Sequence, residues 1–148
     1  MAERVLVYHT DPLPKERPRT KVVTPKGKKP FAQIYTPKTT AEYEKKIADA
    51  WKTKNGLIPY EGAVIVRIVL GLPVPKSVSK KRRADMLAGK IRPTSKPDVD
   101  NLGKSVLDAL NGLAYKDDGQ ITSLHVRKIY MDPPKVMIKV AEWFPDDQ

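Results

Sequence analysis

The chain has 148 residues, with 28 lysines and arginines against 17 aspartates and glutamates, a formal net charge of +11 and no cysteine. This length predicts one domain, over residues 1–148, and the lack of cysteine excludes disulfides and cysteine-based zinc sites. The charge points to a polyanionic partner, with nucleic acid first and an anionic membrane surface second. No apolar run approaches the roughly 18 residues of a transmembrane span, and the apolar N-terminal stretch is too short for a signal peptide. We therefore expect a cytoplasmic protein without a membrane segment.

The first third of the chain predicts short strands, a basic loop and one long helix. Strands are expected at residues 5–8 and 31–35, with a basic loop at residues 15–29 between them. Prolines at positions 12, 14 and 18 argue against regular structure before and within that loop. A helix is predicted from Thr36-Pro37, with Thr36 as its N-cap, to about Lys54. Its apolar face recurs at helical spacing: Tyr43, Ile47, Ala50 and Trp51.

The remaining chain predicts two more helices and three more strands. Residues 63–72 read as a buried strand, 77–88 and 102–110 as helices, and 120–130 and 135–143 as strands. Residues 131–134 contain two prolines and predict the turn of an antiparallel hairpin between the last two strands. This element order predicts an α/β or α+β domain, in which one mixed β-sheet has its helices on one face.

Two aspartates in the most basic half of the chain suggest a metal site. Asp98 and Asp100 are one residue apart, and Pro97 favours an extended backbone before them. If this stretch is extended, both carboxylates point to one face, where two like charges repel unless a cation separates them. Oxygen ligands suit a hard ion such as Mg²⁺ or Mn²⁺, and the two isolated histidines argue against a histidine-based site.

A lysine and a second acidic pair extend this constellation. Lys104 follows Asp100 by four residues, so from the first turn of a helix it could stabilise developing charge on a phosphate. Asp117-Asp118 comes after that helix, and a reversing connection could bring the pair beside the first acids to ring a metal. Such a site predicts metal-assisted hydrolysis of a phosphodiester.

Simpler roles for the same acids remain open from the residues alone. Asp100 or Asn101 could merely cap the helix at residues 102–110. Asp117-Asp118-Gly119 could be only a turn, because aspartate and glycine favour turns. Asp108, inside the predicted helix, is expected to be a solvated or locally paired residue.

The acidic region resembles the signature of one nuclease family. The segments Lys96–Gly112 and Tyr115–Ile121 are similar to the central motif of the RusA-type Holliday junction resolvases. Arg17-Pro18-Arg19 and Tyr35-Thr36-Pro37 resemble shorter segments near the N-terminus of that family. The resemblance implies a RusA-like fold and a small homodimeric endonuclease, often encoded by phages and prophages, that cuts four-way DNA junctions in recombination and repair with Mg²⁺, for which Mn²⁺ can substitute.

The same resemblance assigns roles to individual residues. It implies that Asp98, Asp100 and Asp118 bind the metal and are catalytic, and that Lys104 is the essential lysine. Asp117 matches the other half of the second acidic pair, and Asn101 is expected to orient or cap beside the site. No small-molecule cofactor is implied.

Two basic segments predict the DNA surface. Residues 15–29 and 76–96 each carry a large excess of positive charge, and the second adjoins the predicted site. We expect the protein to recognise the shape and the backbone of DNA, because no aromatic residues alternate with the basic ones. The residues expected to contact DNA are Arg17, Arg19, Lys76, Lys80, Lys81, Arg82 and Arg83. For Lys26 to Lys29 alone, a merely solubilising surface is the favoured interpretation.

Two functions from different classes therefore compete. The first is a Mg²⁺-dependent, structure-selective endodeoxyribonuclease that acts as a homodimer, since paired cleavage needs two sites related by a two-fold axis. The apolar face of the first helix could serve as the dimer interface, although such a face is more often core. The second is a non-catalytic basic nucleic-acid-binding module, which explains the charge but not the acids.

Overall fold

The computed structural model describes residues 3–35 and 37–146 and combines a four-stranded mixed sheet with a separate two-stranded one. In the described ranges the strands are β1 (Glu3–Tyr8), β2 (Arg19–Val23), β3 (Phe31–Tyr35), β4 (Val64–Leu72), β5 (Ile121–Tyr130) and β6 (Lys135–Glu142). The helices are α1 (Lys38–Asn55), α2 (Lys80–Leu87) and α3 (Val99–Leu110), and a 3₁₀ turn, Asp118–Gln120, precedes β5. The predicted α+β class with a mixed sheet is confirmed.

The most apolar strand, β4, lies inside the main sheet. The strand order is β1-β6-β4-β5, with β4 antiparallel to β6 and parallel to β5. Alternate residues of β4 are completely buried, among them Val66, Ile68 and Leu70. Parallel neighbours need a crossover connection, and α2 and α3 form the one between β4 and β5. This crossover carries the acidic segment.

The predicted hairpin between the last two strands is wrong. β4 lies between β5 and β6, which share no hydrogen bonds in the sheet. The connection instead carries the chain past the end of β4, where the Met131 N–H donates to the Leu72 carbonyl at 2.9 Å. A nine-residue apolar strand buries more apolar surface when it pairs along both edges than when it lies at the edge of the sheet. β4 therefore lies between two strands that a tight turn could have joined.

The prediction of a basic loop at residues 15–29 is also wrong in part. Its middle contains β2, which pairs antiparallel with β3, and Gly27 takes a positive φ of 76° in the connection. The sequence from Arg19 to Val23 contains the β-branched residues that favour strands, and the surrounding lysines and prolines obscured that pattern. The strand at residues 31–35 is confirmed.

Helices α1 and α3 bury their apolar faces in one core with the main sheet. Tyr43, Ile47 and Trp51 of α1 are at most 4% exposed, so this face is core rather than a dimer interface. On α3 the buried face is Leu102, Val106 and Leu110, again at i, i+4 and i+8. Pro37 occupies the N-cap position of α1 without a side-chain cap, and the predicted cap Thr36 lies outside the described residues. None of the described helices is long and apolar enough to cross a membrane.

Candidate metal and DNA site

The first acidic pair lies at the amino end of α3. Asp98 is the N-cap residue, with extended backbone angles, and Asp100 is in the first helical turn. The prediction that Asp100 or Asn101 caps the helix is wrong, because α3 begins three residues earlier than the sequence indicated. Once Val99 is helical, Asp98 and Asp100 follow a period of 3.6 residues rather than two, so the extended-strand argument for a shared face no longer applies. The positive end of the helix dipole still stabilises both carboxylates.

The segment before α3 is held by a lysine from β5. The Lys128 ammonium donates to the carbonyls of Ser95 and Pro97 at 2.8 and 2.9 Å. The peptide bond between Lys96 and Pro97 is cis. The Lys96 ammonium in turn lies 2.7 Å from the Asp98 carboxylate. One acid of the pair is therefore already matched by a local cation.

Asp100 and Lys104 share one exposed stripe of α3. Residues four apart on a helix face the same side, and both side chains are exposed. Asp100 and Lys104 form no ion pair with each other. Within the described ranges, no carboxylate lies within 4 Å of the Lys104 ammonium. Asn101 has a different contact: its carbonyl accepts a hydrogen bond from the Lys15 N–H at 2.9 Å, which fastens the N-terminal segment to α3.

The second acidic pair is built into the 3₁₀ turn. Asp117 caps this turn, and its carboxylate accepts the Gly119 N–H at 3.0 Å. The Gln120 side chain accepts the Asp117 N–H at 2.9 Å and donates to the carbonyls of Tyr60 and Gly62 at 2.9 and 2.8 Å. Asp117 thus shapes the turn, as the interpretation of this segment as a turn expected. Asp118 is exposed, and its carboxylate is not used to hold the turn.

The two acidic pairs stand toward opposite ends of α3 within one chain. Lys128 contacts the segment before α3, whereas Asp118 precedes the first residue of the same strand. From Ile121 to Lys128, β5 extends over roughly 23 Å at the usual rise per residue. Within the ranges that the structure describes, no three acidic or histidine side chains are grouped so that they could hold a metal ion. The expectation that Asp118 folds back onto Asp98 and Asp100 is therefore not met in a single chain.

A buried tyrosine links Asp118 to the carboxyl end of α3. The Tyr115 side chain is fully buried, and its hydroxyl donates to the Leu107 carbonyl at 2.7 Å. Burial first, and then the carboxylates of Asp108 and Asp118, raise the pKa of Tyr115 far above its ordinary value. Asp118 is consequently within electrostatic range of the last turns of α3.

Lys15 joins α1 and α3 rather than serving as a free surface cation. Its ammonium lies 2.6 Å from the Glu44 carboxylate and 3.1 Å from that of Asp108. Burial works against its charge, but the hydrogen bonds to both carboxylates outweigh that effect and raise the pKa of Lys15. Asp108 is thus paired, but with a residue distant in sequence and not locally as expected.

The predicted DNA-contacting residues fall into free and committed side chains. Arg83 pairs with Asp132 in the connection between β5 and β6, and Arg19 pairs with Glu16 at 3.3 Å. The others are exposed and have no ion pair in the described ranges: Arg17, Lys76, Lys80, Lys81 and Arg82. Their contact with DNA stays a prediction.

Lys128 and Gln120 are the positioning residues that the sequence analysis missed. Each holds the backbone beside one acidic pair, through two carbonyl contacts apiece. Gln120 belongs to the motif that resembles the resolvases, so its position in that motif could have indicated a role beside the second acidic pair. Lys128 lies in a predicted strand, and only the packing of β5 against the segment before α3 reveals its role.

The chemistry of the acids fits a hard divalent ion, but one chain does not assemble a complete ligand set. Carboxylate oxygens are the donors that Mg²⁺ and Mn²⁺ prefer, and Asp100 and Asp118 are exposed with no cation within 4 Å in the described part of the chain. Asp98 would exchange its contact with Lys96 for the ion. An ion held by these acids would need its remaining ligands from water or from another chain.

Comparison with known proteins agrees with the motif. A family model described as endodeoxyribonuclease RusA matches residues 10–141. A stretch of 83 residues is 47% identical to the uncharacterized protein YqaN of Bacillus subtilis (strain 168) and covers 55% of this chain. That stretch spans 58% of the relative's length, which is less than two thirds. Because the family match extends over most of the chain and includes both acidic pairs, the chain belongs to the endodeoxyribonuclease RusA family.

Proposed function

We propose that this protein is a Mg²⁺-dependent endodeoxyribonuclease that resolves four-way DNA junctions by paired hydrolytic cuts. The observation that carries the proposal is the family match over residues 10–141. It is supported by exposed acids beside the basic residues 76–96. A net charge of +11 suits a polyanionic substrate.

In this proposal Asp98, Asp100 and Asp118 hold the divalent ion. When bound, such an ion supplies positive charge beside the scissile phosphate and makes an attacking water more acidic. Lys104 is exposed one turn after Asp100 and has no ion pair in the described ranges, so its ammonium is free to stabilise charge that develops on the phosphate. Lys128 and Gln120 keep the two acidic segments in place.

A homodimer would resolve the separation of the acids. In an isologous dimer the same two surfaces meet twice, so the amino end of α3 from one copy can face the 3₁₀ turn of the other. We infer that each site takes Asp98 and Asp100 from one copy and Asp118 from its partner. Mg²⁺ retains several water ligands, so a few carboxylates suffice.

The direct test is cleavage of a synthetic four-way junction in the presence of Mg²⁺. We expect the native chain to cut, and Asp100→Asn or Asp118→Asn to lower the rate about a hundredfold or more while junction affinity in EDTA is kept. Lys104→Ala should also bind and cut poorly. Asp49→Asn removes an exposed acid on α1 and should cut at the native rate.

A second candidate function has one observation in its favour. Because a single chain does not group three potential metal ligands in the described ranges, a basic nucleic-acid-binding module without catalysis is also compatible with the structure. Binding without nicking of junctions under any divalent ion would favour that module over the nuclease.

A further inference from the structure

The β2–β3 hairpin projects from the domain without contributing to its core. Its strands pair only with each other within the described ranges, and no residue from Arg19 to Tyr35 belongs to the core cluster. Every residue of β3 is exposed. An isolated two-stranded hairpin is marginally stable in water, so a surface that covers it would be expected.

One face of the hairpin is apolar and uncovered. The register places Thr20 opposite Ile34 and Val22 opposite Ala32, so these four side chains share one face. Val22 and Ile34 are both 74% exposed. Large apolar side chains gathered on one exposed face are typical of an interaction surface.

The opposite face of the hairpin mixes the basic side chains of Arg19 and Lys21 with the exposed rings of Phe31 and Tyr35. The sequence contains no aspartate or glutamate between Arg17 and Ala41. Lys21 lies over the Tyr35 ring at 5.3 Å on the face opposite the apolar one. The three lysines of the connection, Lys26, Lys28 and Lys29, are exposed and form no ion pair in the described ranges.

We propose that the hairpin Arg19–Tyr35 is a DNA-binding arm that lies in a groove of a duplex arm of the substrate. The identity of the substrate rests on the proposed function. A two-stranded ribbon has the width that the major groove of DNA admits. The lysines of the connection reach phosphates, and the apolar face contacts sugars, base edges and thymine methyl groups.

Charge complementarity selects DNA over a second copy of the chain. The hairpin carries five cations and no acid: Arg19, Lys21, Lys26, Lys28 and Lys29. Two such arms packed together would place like charges side by side, whereas phosphates neutralise them and release counterions. Because the contacts of these cations go to the backbone, they position the protein without reading sequence.

The first test removes the lysines of the connection. The triple variant Lys26→Ala, Lys28→Ala, Lys29→Ala should bind duplex and four-way junction about tenfold or more weakly in EDTA. Its plot of log affinity against log salt should be shallower by roughly 0.9 for each lost phosphate contact. Its matched control is Lys45→Ala, Lys46→Ala, Lys54→Ala, which removes the same charge from exposed positions of α1. Equal losses of affinity and slope in both variants would show a general charge effect and overturn the proposal.

The second test addresses the apolar face without changing charge. Val22→Ser with Ile34→Ser should weaken DNA binding severalfold and leave the melting temperature and the mass in solution unchanged, because both side chains are exposed. A change in oligomeric state with unchanged DNA affinity would show that a second copy covers this face, and the proposal would be wrong.

These experiments separate the arm from the proposed chemistry. Binding in EDTA requires no cleavage, so a protein that binds through the arm but never cuts would disprove the nuclease and keep the arm. Conversely, full cleavage with the native salt dependence in the lysine variant would keep the nuclease and disprove the arm.

Discussion

The lysines around α3 divide into those that hold the protein together and those that are free to meet substrate. Lys15 and Lys128 are committed, the first to two carboxylates and the second to two carbonyls. Lys96 is shared, because its partner Asp98 is itself a proposed metal ligand. Lys104 is exposed and without an ion pair in the described ranges, which is the state a catalytic cation requires before substrate arrives.

The buried Tyr43 predicts a loss of stability in alkaline solution. Burial raises the pKa of Tyr43 from 10 to about 12. Between these two values the folded chain binds more protons than the unfolded chain, so the free energy of unfolding falls as pH rises. The full effect of this residue is present below pH 10 and amounts to about 2–3 kcal/mol.

Urea unfolding of the native chain and of Tyr43→Phe at pH 8 to 12 measures this difference. We expect the native chain to lose more stability than the variant above pH 10. Identical slopes for the two proteins would show that Tyr43 ionises equally in both states.

Among the secondary-structure elements, β4 and the connection that passes its end determine the topology. Met131 packs directly against Gly71: a Cβ placed on that glycine would lie 2.6 Å from the Met131 Sδ and 2.7 Å from its Cβ. The glycine therefore allows the chain leaving β5 to cross the end of β4 before it enters β6. A side chain at this position would push the crossing segment away.

Gly71→Ala is accordingly expected to lower the free energy of unfolding by about 1–3 kcal/mol through overpacking. Part of the crowding comes from the Cβ of Met131, so Met131→Gly should relieve it more fully than Met131→Ala. Gly62→Ala is the control, because nothing lies within 4 Å of its added Cβ, and it should change stability by at most about 0.5 kcal/mol. A Gly71→Ala protein as stable as the control would remove this account of the crossover.

At the level of the complete protein, the separation of the acids makes the proposed dimer testable. Asp98 and Asp100 lie at the amino end of α3, and Asp118 lies beyond its carboxyl end. If each site is shared, a dimer of two differently inactivated chains regains one complete site. If each site belongs to one chain, every site in that dimer stays defective.

Mixing Asp100→Asn with Asp118→Asn chains, after joint refolding or coexpression, distinguishes these arrangements. We expect about a quarter of the native number of sites, since about half of the dimers are mixed and each has one intact site. Such dimers should nick a junction rather than cut it in pairs. Mixing Asp100→Asn with Asp98→Asn leaves no complete site in either arrangement and serves as the control. No recovery of nicking in the first mixture would place each site within one chain.

Local patterns were sufficient for most elements and for the family. The helical spacing of Tyr43, Ile47 and Trp51 and the apolar run of β4 predicted their elements correctly, because burial imposes a period on the chain. The acidic motif likewise predicted the family, since its residues are close in sequence. Helix boundaries were less secure: α3 starts at Val99 because Asp98 takes the N-cap position, for which several nearby polar residues compete.

Contacts between distant segments were outside the reach of these patterns. Which strands become neighbours depends on the relative burial of all of them, so β4 could separate β5 from β6 despite a short turn between them. The β2–β3 hairpin depends on pairing across a basic connection that local composition describes as a loop. The positions of the two acidic pairs follow from the length and direction of α3 against β5, a property of packing that no motif contains. The residue types of the site were thus set by the chain, and their separation within one copy was set by the fold.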